Sequence, residues 1–253
     1  MSDAVMALLA TGPGETARGR GRAKADQAYD HLRQAIITMR LAPGSALPEK
    51  EICAELGFSR TPMREAVLRL AQEGLIDIVP SEGTFVRKIS LHQVIEGHLV
   101  RSSLELRMVR LAARAYDGAH DADFELLMFM QAEARRRGDH DRSLSVDMAF
   151  HRLICTVAGF PDIWRVVQVA AGQLDRVRRF SYTAGDISGE VEQEHRAIHA
   201  ALQARDEALA HRLMRSHLDD LGEVLDFMRE THPEIFLPSD SPSEMEALLS
   251  PPG

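Results

Sequence analysis

The feature that most constrains the fold of this chain is a glycine turn between two short helical patterns. Before the turn, Ile52 and Leu56 are four residues apart and therefore share one apolar helix face. Gly57 follows, where the end of a helix often needs a residue with positive φ. Ser59 or Thr61 can cap the helix that comes next. Two short helices joined in this way predict a helix-turn-helix.

The second of these helices has one apolar face and one basic face. Pro62 suits its first turn, where a missing N–H costs nothing. Val67 and Leu70 fall on the face predicted to be buried, while Arg60 and Arg64 lie one turn apart on the other. Arginine reads guanine with two hydrogen bonds in the major groove and also neutralises phosphates. The pattern therefore predicts a recognition helix that docks on DNA.

Sequence on both sides of this motif completes a small domain. Gly74 ends the recognition helix, and strand patterns at residues 75–79 and 84–88 flank a tight turn. This hairpin is the predicted wing. Upstream, apolar residues at helical spacing predict a first helix that ends where Pro43 and Gly44 interrupt it. Residues 25–90 are thus predicted to form a winged helix-turn-helix.

Charge divides the chain into two unlike parts. The whole sequence of 253 residues has a net charge of −8, which by itself argues against a nucleic-acid partner. Residues 1–90 hold 12 Lys and Arg against 11 Asp and Glu, whereas residues 91–253 hold 18 against 27. The acidity therefore belongs to the second part, and the first part leaves its basic side chains available for DNA.

The ends and the cysteines give weaker signals. Residues 1–24, rich in Gly, Ala and Arg, are predicted to be a disordered arm, and residues 231–253 a loose tail with a short helix at 243–249. Cys53 and Cys155 lie in apolar patterns and are expected to be buried thiols. No apolar run is long enough for a transmembrane helix or a signal sequence. The expectation is a cytoplasmic protein.

Residues 91–230 are almost wholly helical in pattern and predict a second domain. Glycines at positions such as 118, 138 and 159 punctuate the helical stretches. Two of the predicted helices are long, spanning residues 163–180 and 206–229. The sequence therefore predicts a mainly α protein whose second domain is an antiparallel bundle of six to seven helices.

Polar residues interrupt the apolar stripes of three of these helices. Asp147 and His151 are four residues apart on one face, and His195 and His217 lie on the inner faces of two other helices. Imidazole and carboxylate ligands suit a divalent metal, with zinc favoured and nickel, iron or manganese as alternatives. Each histidine taken alone is more typical of a hydrogen-bonded core residue. His199 and His211 are ambiguous, as outer partners or surface residues.

The first domain resembles the DNA-binding domain of the GntR family of bacterial transcription regulators. The match runs through residues 32–36, 43–44, 47, 59–62, 64–66, 70, 73–75 and 83. The resemblance implies the following DNA-binding residues: Lys50, Ser59, Arg60, Thr61, Arg64 and Gly83. Arg60 and Arg64 would contact bases and backbone, and Gly83 would let the wing tip enter the minor groove. Glu82 departs from the basic residue often found before that glycine, and its carboxylate would repel phosphate.

The second domain resembles the FCD ligand-binding domain of the FadR subfamily. The match runs through residues 101–105, 147–154, 194–198 and 206–217. By that resemblance, Asp147, His151, His195 and His217 hold a divalent cation that keeps open positions for water or a ligand carboxylate. Arg101 would line the effector pocket, although an ion pair with Glu105 one turn away explains it equally well. Phe160 replaces a frequent asparagine and would reshape the loop beside the pocket.

Together the resemblances imply a homodimeric repressor that binds a palindromic DNA operator. A small carboxylic or sugar acid would bind at the metal and control DNA binding. Two other interpretations of the metal site stay open, a purely structural role and a sensor of the metal itself. An enzyme is a remote alternative, because a metal with open positions could activate water. Against catalysis, no general base is suitably spaced, and Glu194 is expected to point away from the site.

Overall fold

The computed structural model describes residues 20–184, 188–219 and 221–238. The first domain has three helices and a hairpin: α1 (Arg20–Ile37), α2 (Glu49–Leu56), α3 (Arg60–Gln72), β1 (Ile76–Val79) and β2 (Gly83–Val86). Helix α3 packs against α1 and buries Met63, Val67 and Leu70. The two strands pair antiparallel, with Ile76 opposite Val86 and Val79 opposite Gly83. The predicted winged helix-turn-helix is therefore present.

The turn between α2 and α3 has the predicted backbone geometry. Gly57 ends α2 in the left-handed region, with φ of 68°, a conformation that glycine adopts without steric cost. Ser59 occupies the N-cap of α3 in extended conformation, although its side chain makes no capping hydrogen bond. Pro62 lies in the first turn of α3 and is buried. The turn residues thus fix the angle at which the basic face of α3 is presented.

The second domain is an all-helical bundle. Its described helices are α4 (Leu91–Ala115), α5 (Asp121–Arg136), α6 (His140–Val157), α7 (Ile163–Ala170), α8 (Gly172–Ala184), α9 (Ser188–Gln203), α10 (Glu207–Leu218) and α11 (Leu221–Thr231). Helix α4 runs through the middle and contacts α6, α8, α9 and α10. Phe124 and Phe150 are fully buried and meet edge to face, with ring centroids 5.5 Å apart. The predicted mainly α class is confirmed, with two helices more than the six stretches seen in the sequence.

The extra helices arise where two predicted helices divide. The pattern over residues 163–180 breaks at Ala171, which is followed by Gly172 at the start of α8. A Cβ on Gly172 would lie 3.2 Å from Leu75 of the first domain, so the break brings α8 against that domain. The pattern over residues 206–229 breaks at Asp219, the C-cap of α10. In both places the apolar stripe continues past the break, which is why periodicity did not reveal it.

Both predicted terminal segments are partly wrong. Helix α1 begins at Arg20, inside the predicted arm, and continues through Ala25 and Ala28, which are buried. The predicted tail forms a 3-10 turn at Pro233–Ile235, and Phe236 then pairs with Ile89 as a short parallel bridge. Residues 1–19 of the arm and the predicted helix at residues 243–249 lie outside the described residues. Within the described part of the chain, no helix is long and apolar enough to span a membrane.

Helix α8 connects the two domains. Gln173 Nε2 donates to the carbonyl oxygen of Gly74 at 2.7 Å, and Arg176 Nη1 donates to the carbonyl oxygen of Arg87 at 2.8 Å. Arg33 on α1 donates to the carbonyl oxygen of Gln168 at 2.7 Å. These contacts attach both ends of the wing hairpin and the first helix to the bundle.

Candidate metal centre and nucleic-acid interface

The side chains predicted to contact DNA lie on one exposed part of the first domain. Lys50 of α2 is exposed, as are Ser59, Arg60, Thr61 and Arg64 at the start of α3. Among the described residues, neither Arg60 nor Arg64 forms an ion pair. Their guanidinium groups are therefore available to an external anion. A helix that presents two free arginines at its N-terminus can approach a phosphate backbone and base edges.

The wing turn has the exposed glycine that the sequence predicts. Gly83 has φ of 133°, a backbone conformation that side chains with a Cβ rarely adopt. Glu82 beside it is exposed as well, so the carboxylate at the wing tip is free to repel phosphate. The α3 face and the wing tip consequently differ in charge.

The four predicted metal ligands converge in the interior of the bundle. One ligand atom from each of Asp147, His151, His195 and His217 lies within 4.8 Å of all the others. The Nε2 atoms of His151 and His217 are 3.1 Å apart, and those of His195 and His217 are 3.4 Å apart. Helices α6, α9 and α10 supply these residues. Three imidazole nitrogens and one carboxylate form a donor set that fits zinc or a similar divalent ion.

Two further carboxylates hold the histidines from behind. His151 Nδ1 lies 2.5 Å from Glu105 Oε2, and His217 Nδ1 lies 2.7 Å from Glu194 Oε2. A carboxylate at Nδ1 keeps the proton there and leaves Nε2 as the metal-binding nitrogen, although Nε2 of His151 at present accepts from Arg101 Nη2 at 2.9 Å. The expectation that Glu194 points away is therefore wrong, because α10 packs on α9 and brings His217 within reach. The sequence did not indicate that Glu105 contacts His151 or that Glu194 contacts His217, because the two members of each pair lie on different helices.

The ionisation of these groups favours cation binding. Burial, and then the neighbouring His217, hold the pKa of His195 well below its usual value. Burial also lowers the pKa of His217. For Asp147, burial alone would raise the pKa, but the Arg178 guanidinium and His151 hold it well below its ordinary value. Near neutral pH the site thus offers neutral imidazoles at His195 and His217 and an ionised carboxylate at Asp147, the forms that bind metals.

Two arginines contact the ligand atoms. Arg178 of α8 forms an ion pair with Asp147 Oδ2 and with Asp175. Arg101 Nη2 lies 2.9 Å from Nε2 of His151, while its Nε donates to Glu105 Oε1 at 2.7 Å. The cluster therefore already attracts positive charge. Sequence reasoning missed Arg178, because no pattern links residue 178 to the ligand stripe on α6.

A cavity opens beside the cluster. Its volume is about 70 Å³, and Asp147, His217, Arg101 and Arg178 all line it. The rest of the lining mixes apolar and polar groups: His98, Leu174, Val177, Ser181, Tyr182, Val191, Leu218 and Val224. Arg101 pairs with Glu105 and also lines the cavity, and its role in binding an effector stays a prediction.

Other residues singled out in the sequence lie elsewhere. His199 is buried and its ring stacks on Phe124. Its Nε2 lies 2.7 Å from the Tyr116 hydroxyl oxygen, within hydrogen-bond distance. Its ring contacts Asp121 rather than the ligand cluster. His211 is half-buried on α10 and is not a member of the cluster. Phe160 is exposed and does not line the cavity. Cys155 is buried, Cys53 is half-buried, and both are free thiols.

Two family models match the chain, one for each domain. Residues 24–86 match the model described as bacterial regulatory proteins, gntR family. Residues 96–220 match the FCD domain. The exposed basic helix thus falls within the first match, and all four metal-ligand candidates fall within the second.

Curated relatives and solved structures agree with these matches. An uncharacterized HTH-type transcriptional regulator in an unstable DNA locus of Streptomyces ambofaciens is 33% identical over 87% of this chain and 92% of its own length. The HTH-type transcriptional repressor RspR of Escherichia coli K12 is 32% identical over 83% of this chain and 92% of its own length. The solved structure of E. coli McbR/YncC shares the fold, with a TM-score of 0.72 at 21% identity over 83% of this chain and 98% of that one.

Proposed function

Since the chain belongs to the GntR family of bacterial transcription regulators and carries an FCD domain, we propose that a small organic acid controls its DNA binding. In this proposal the protein is a repressor, like the RspR relative. The acid binds in the bundle cavity beside a divalent metal ion held by Asp147, His151, His195 and His217. Two copies of the chain bind a palindromic operator, one recognition helix in each half-site.

The observation that carries the proposal is the position of the ligand cluster at the wall of a cavity. Four protein ligands complete the shell of a tetrahedral ion, so a metal that also binds an acid must take five or six ligands and face an open space. Here Asp147 and His217 line the cavity together with Arg101 and Arg178. When bound, the metal would supply a positive charge that attracts and orients a carboxylate. Guanidinium groups bind carboxylates in a planar, two-point geometry, so either arginine could hold the acid once it leaves its present partner.

The DNA side of the proposal depends on the exposed face of α3. Arg60 and Arg64 would contact base edges and phosphates, with Lys50, Ser59, Thr61 and Gly83 completing the interface. The face is well suited to this because its cations have no partners within the described part of the chain. Phosphate contacts would make the affinity strongly dependent on salt.

A thermal-shift experiment tests the effector half of the proposal. The protein is measured as purified, after EDTA treatment, and after repletion with Zn²⁺, Ni²⁺ or Mn²⁺, each against a panel of carboxylic and sugar acids. A ligand at 100 times its Kd stabilises the folded state by about 2.7 kcal/mol, which is an easily measured shift. The proposal expects one class of acid to stabilise only the metal-loaded protein. Stabilisation of EDTA-treated and metal-loaded protein alike would contradict it.

One observation favours a second candidate, a regulator that responds to the metal alone. The two arginines that face the cavity already pair with Glu105 and Asp147, so neither is free to bind an acid without a rearrangement. In that case metal repletion shifts the melting temperature and no acid adds to the shift. The same experiment therefore separates the two candidates.

A further inference from the structure

Five side chains of alternating charge connect the ligand cluster to the end of the recognition helix. We call them the interdomain ladder: Asp147, Arg178, Asp175, Arg33 and Glu73. Arg178 pairs with Asp147 Oδ2 and reaches Asp175 Oδ1 with its other terminal nitrogen, at 3.4 Å. Asp175 Oδ2 lies 3.3 Å from Arg33 Nη2, and Arg33 Nε lies 3.7 Å from Glu73 Oε2.

The ladder crosses the boundary between the two domains. Arg178 and Asp175 lie one turn apart on α8, whereas Arg33 belongs to α1 and Glu73 is the C-cap of α3. Tyr29 holds the far end by donating its hydroxyl proton to Glu73 Oε1 at 2.7 Å. A change at Asp147 can therefore reach α1 and α3 of the DNA-binding domain through direct contacts.

Burial makes the ladder sensitive to charge. The side chains of Arg33, Asp175 and Glu73 are no more than 9% exposed, and that of Asp147 is 1% exposed. Ion pairs away from water are screened little, so the position of one charge determines the strength of the next pair. Removing one member leaves its partner buried without compensation. Asp175 is the branch point, because it is shared by one arginine from each domain.

We infer that the interdomain ladder couples cation occupancy of the bundle to docking of the DNA-binding domain. A divalent cation held by Asp147 neutralises that carboxylate and repels Arg178. Arg178 then moves its pairing from Asp147 toward Asp175 and competes there with Arg33. The contact between α8 and α1 loosens as a result. This inference rests on the proposed metal site and adds how its occupancy reaches the DNA-binding domain.

Amide hydrogen exchange of the full-length protein, with and without Zn²⁺, tests the coupling. Zn²⁺ is expected to speed exchange at the inner end of α1, around Arg33, by about fivefold, the lower end of typical allosteric couplings. A general stabilisation by the metal would slow exchange instead, so the direction distinguishes the two effects. Zn²⁺ binding to the same samples is measured separately by calorimetry.

The variant Asp175→Asn removes the shared charge while keeping the shape of the side chain. It is expected to bind Zn²⁺ and to lose the exchange response in α1. Asp141→Asn is the matched control, because it breaks the pair between Asp141 and Arg179, the neighbour of Arg178 on α8, outside the ladder. The control should retain the full response.

The outcomes separate the coupling from the metal site itself. If Zn²⁺ does not bind, the proposed metal site fails and the coupling fails with it. If Zn²⁺ binds and exchange in α1 is unchanged or slower, the coupling alone is overturned. Should Asp175→Asn not fold, Arg178→Lys serves instead, because a single ammonium group cannot bridge Asp147 and Asp175 as a guanidinium does. A full response in that variant would also overturn the coupling.

Discussion

At the scale of single residues, the imidazole of His217 is oriented for metal binding by its neighbours. Its Nδ1 faces Glu194, while its Nε2 faces the Nε2 atoms of His151 and His195. The Nδ1 atom is therefore hydrogen-bonded to a carboxylate, and the Nε2 atom is the one placed to bind a cation. Outer carboxylates of this kind contribute strongly to metal affinity because they orient the ring and fix its tautomer.

Replacing Glu194 by glutamine should therefore weaken metal binding without removing a ligand. Glu194→Gln is expected to lower Zn²⁺ affinity by about tenfold or more, as measured by competition with a chelator. Glu192→Gln is the matched control, since Glu192 lies on the same helix and pairs with Arg196 at the surface. Equal affinities for the two variants would contradict the role assigned to Glu194.

A second residue-scale prediction concerns Asp30 in α1. Burial, offset by Arg69, raises the pKa of its carboxyl to about 6, and its Oδ1 atom has no hydrogen-bond partner among the described residues. The folded state thus holds this proton more tightly than the unfolded chain does. Stability is therefore expected to fall as the pH rises from about 4 to about 6, where only the unfolded carboxyl is ionised.

Asp30→Asn should remove that penalty. At pH 7 the variant is expected to be more stable than the parent by about 1 kcal/mol, a value reduced for partial exposure to solvent. The gain should vanish near pH 4, as measured by urea unfolding at both pH values. The comparison variant Asp26→Asn breaks a half-exposed pair with Arg69 and should give no gain at either pH. A gain for Asp30→Asn that is equal at both pH values would refute the account.

Whether the sequence could identify a residue of the site depends on whether the pattern that reveals it lies within one helix. Asp147 and His151 are recognisable because they are four residues apart on one helix. His195 and His217 are recognisable as polar residues in apolar stripes. Glu105 and Arg178 are different, since their partners lie on other helices and only packing brings them together. Sequence periodicity carries no information about which helix faces meet.

At the scale of elements, helix α3 and the turn before it are the parts that the sequence predicts most completely. Glycine, proline and the apolar spacing act locally, so they determine the turn without help from distant residues. The breaks at Ala171 and Asp219 are different. There the apolar stripe is unchanged, and the division depends on contacts such as that of Gly172 with Leu75.

The basic face of α3 leads to a direct prediction for DNA binding. Arg64→Ala is expected to weaken binding to operator DNA by about 1–3 kcal/mol, because a base or phosphate contact is lost. The operator is first selected from genomic fragments with the purified protein, and affinity is then measured by fluorescence anisotropy. Arg212→Ala is the control, since it removes the same charge from an exposed position on α10. Equal affinities for the two variants would exclude a role for Arg64.

The segment after α11 leads to an element-scale prediction for stability. Phe236 is buried, and backbone hydrogen bonds of 2.9 Å join Ile89 to Ile235 and to Leu237. Phe236→Ala is expected to destabilise the protein by about 3 kcal/mol, the range found when a buried aromatic side chain is truncated. Phe129→Ala, which truncates a phenylalanine that is 64% exposed, should change little in the same thermal unfolding experiment. Equal melting temperatures for Phe236→Ala and the parent protein would contradict a stabilising role for this segment.

At the scale of the whole molecule, the predicted DNA-binding surface and the candidate metal site lie in different domains. The first domain carries the exposed cations, and the acidic second domain carries the buried ligand cluster and the cavity. Helix α8 contacts both, with Arg178 at the cluster and Gln173 and Arg176 against the wing hairpin. Such an arrangement can be allosteric only if effector and DNA each change the affinity for the other by the same factor.

The most direct test of the account is the affinity of the metal-loaded protein for its selected operator DNA, with and without the stabilising acid. Allosteric coupling of typical strength changes an affinity by about 5- to 150-fold. The account predicts that the acid weakens operator binding within that range, and that His195→Ala abolishes the change. An operator affinity that stays the same whether the acid is bound or absent would contradict the central claim that the bundle controls DNA binding.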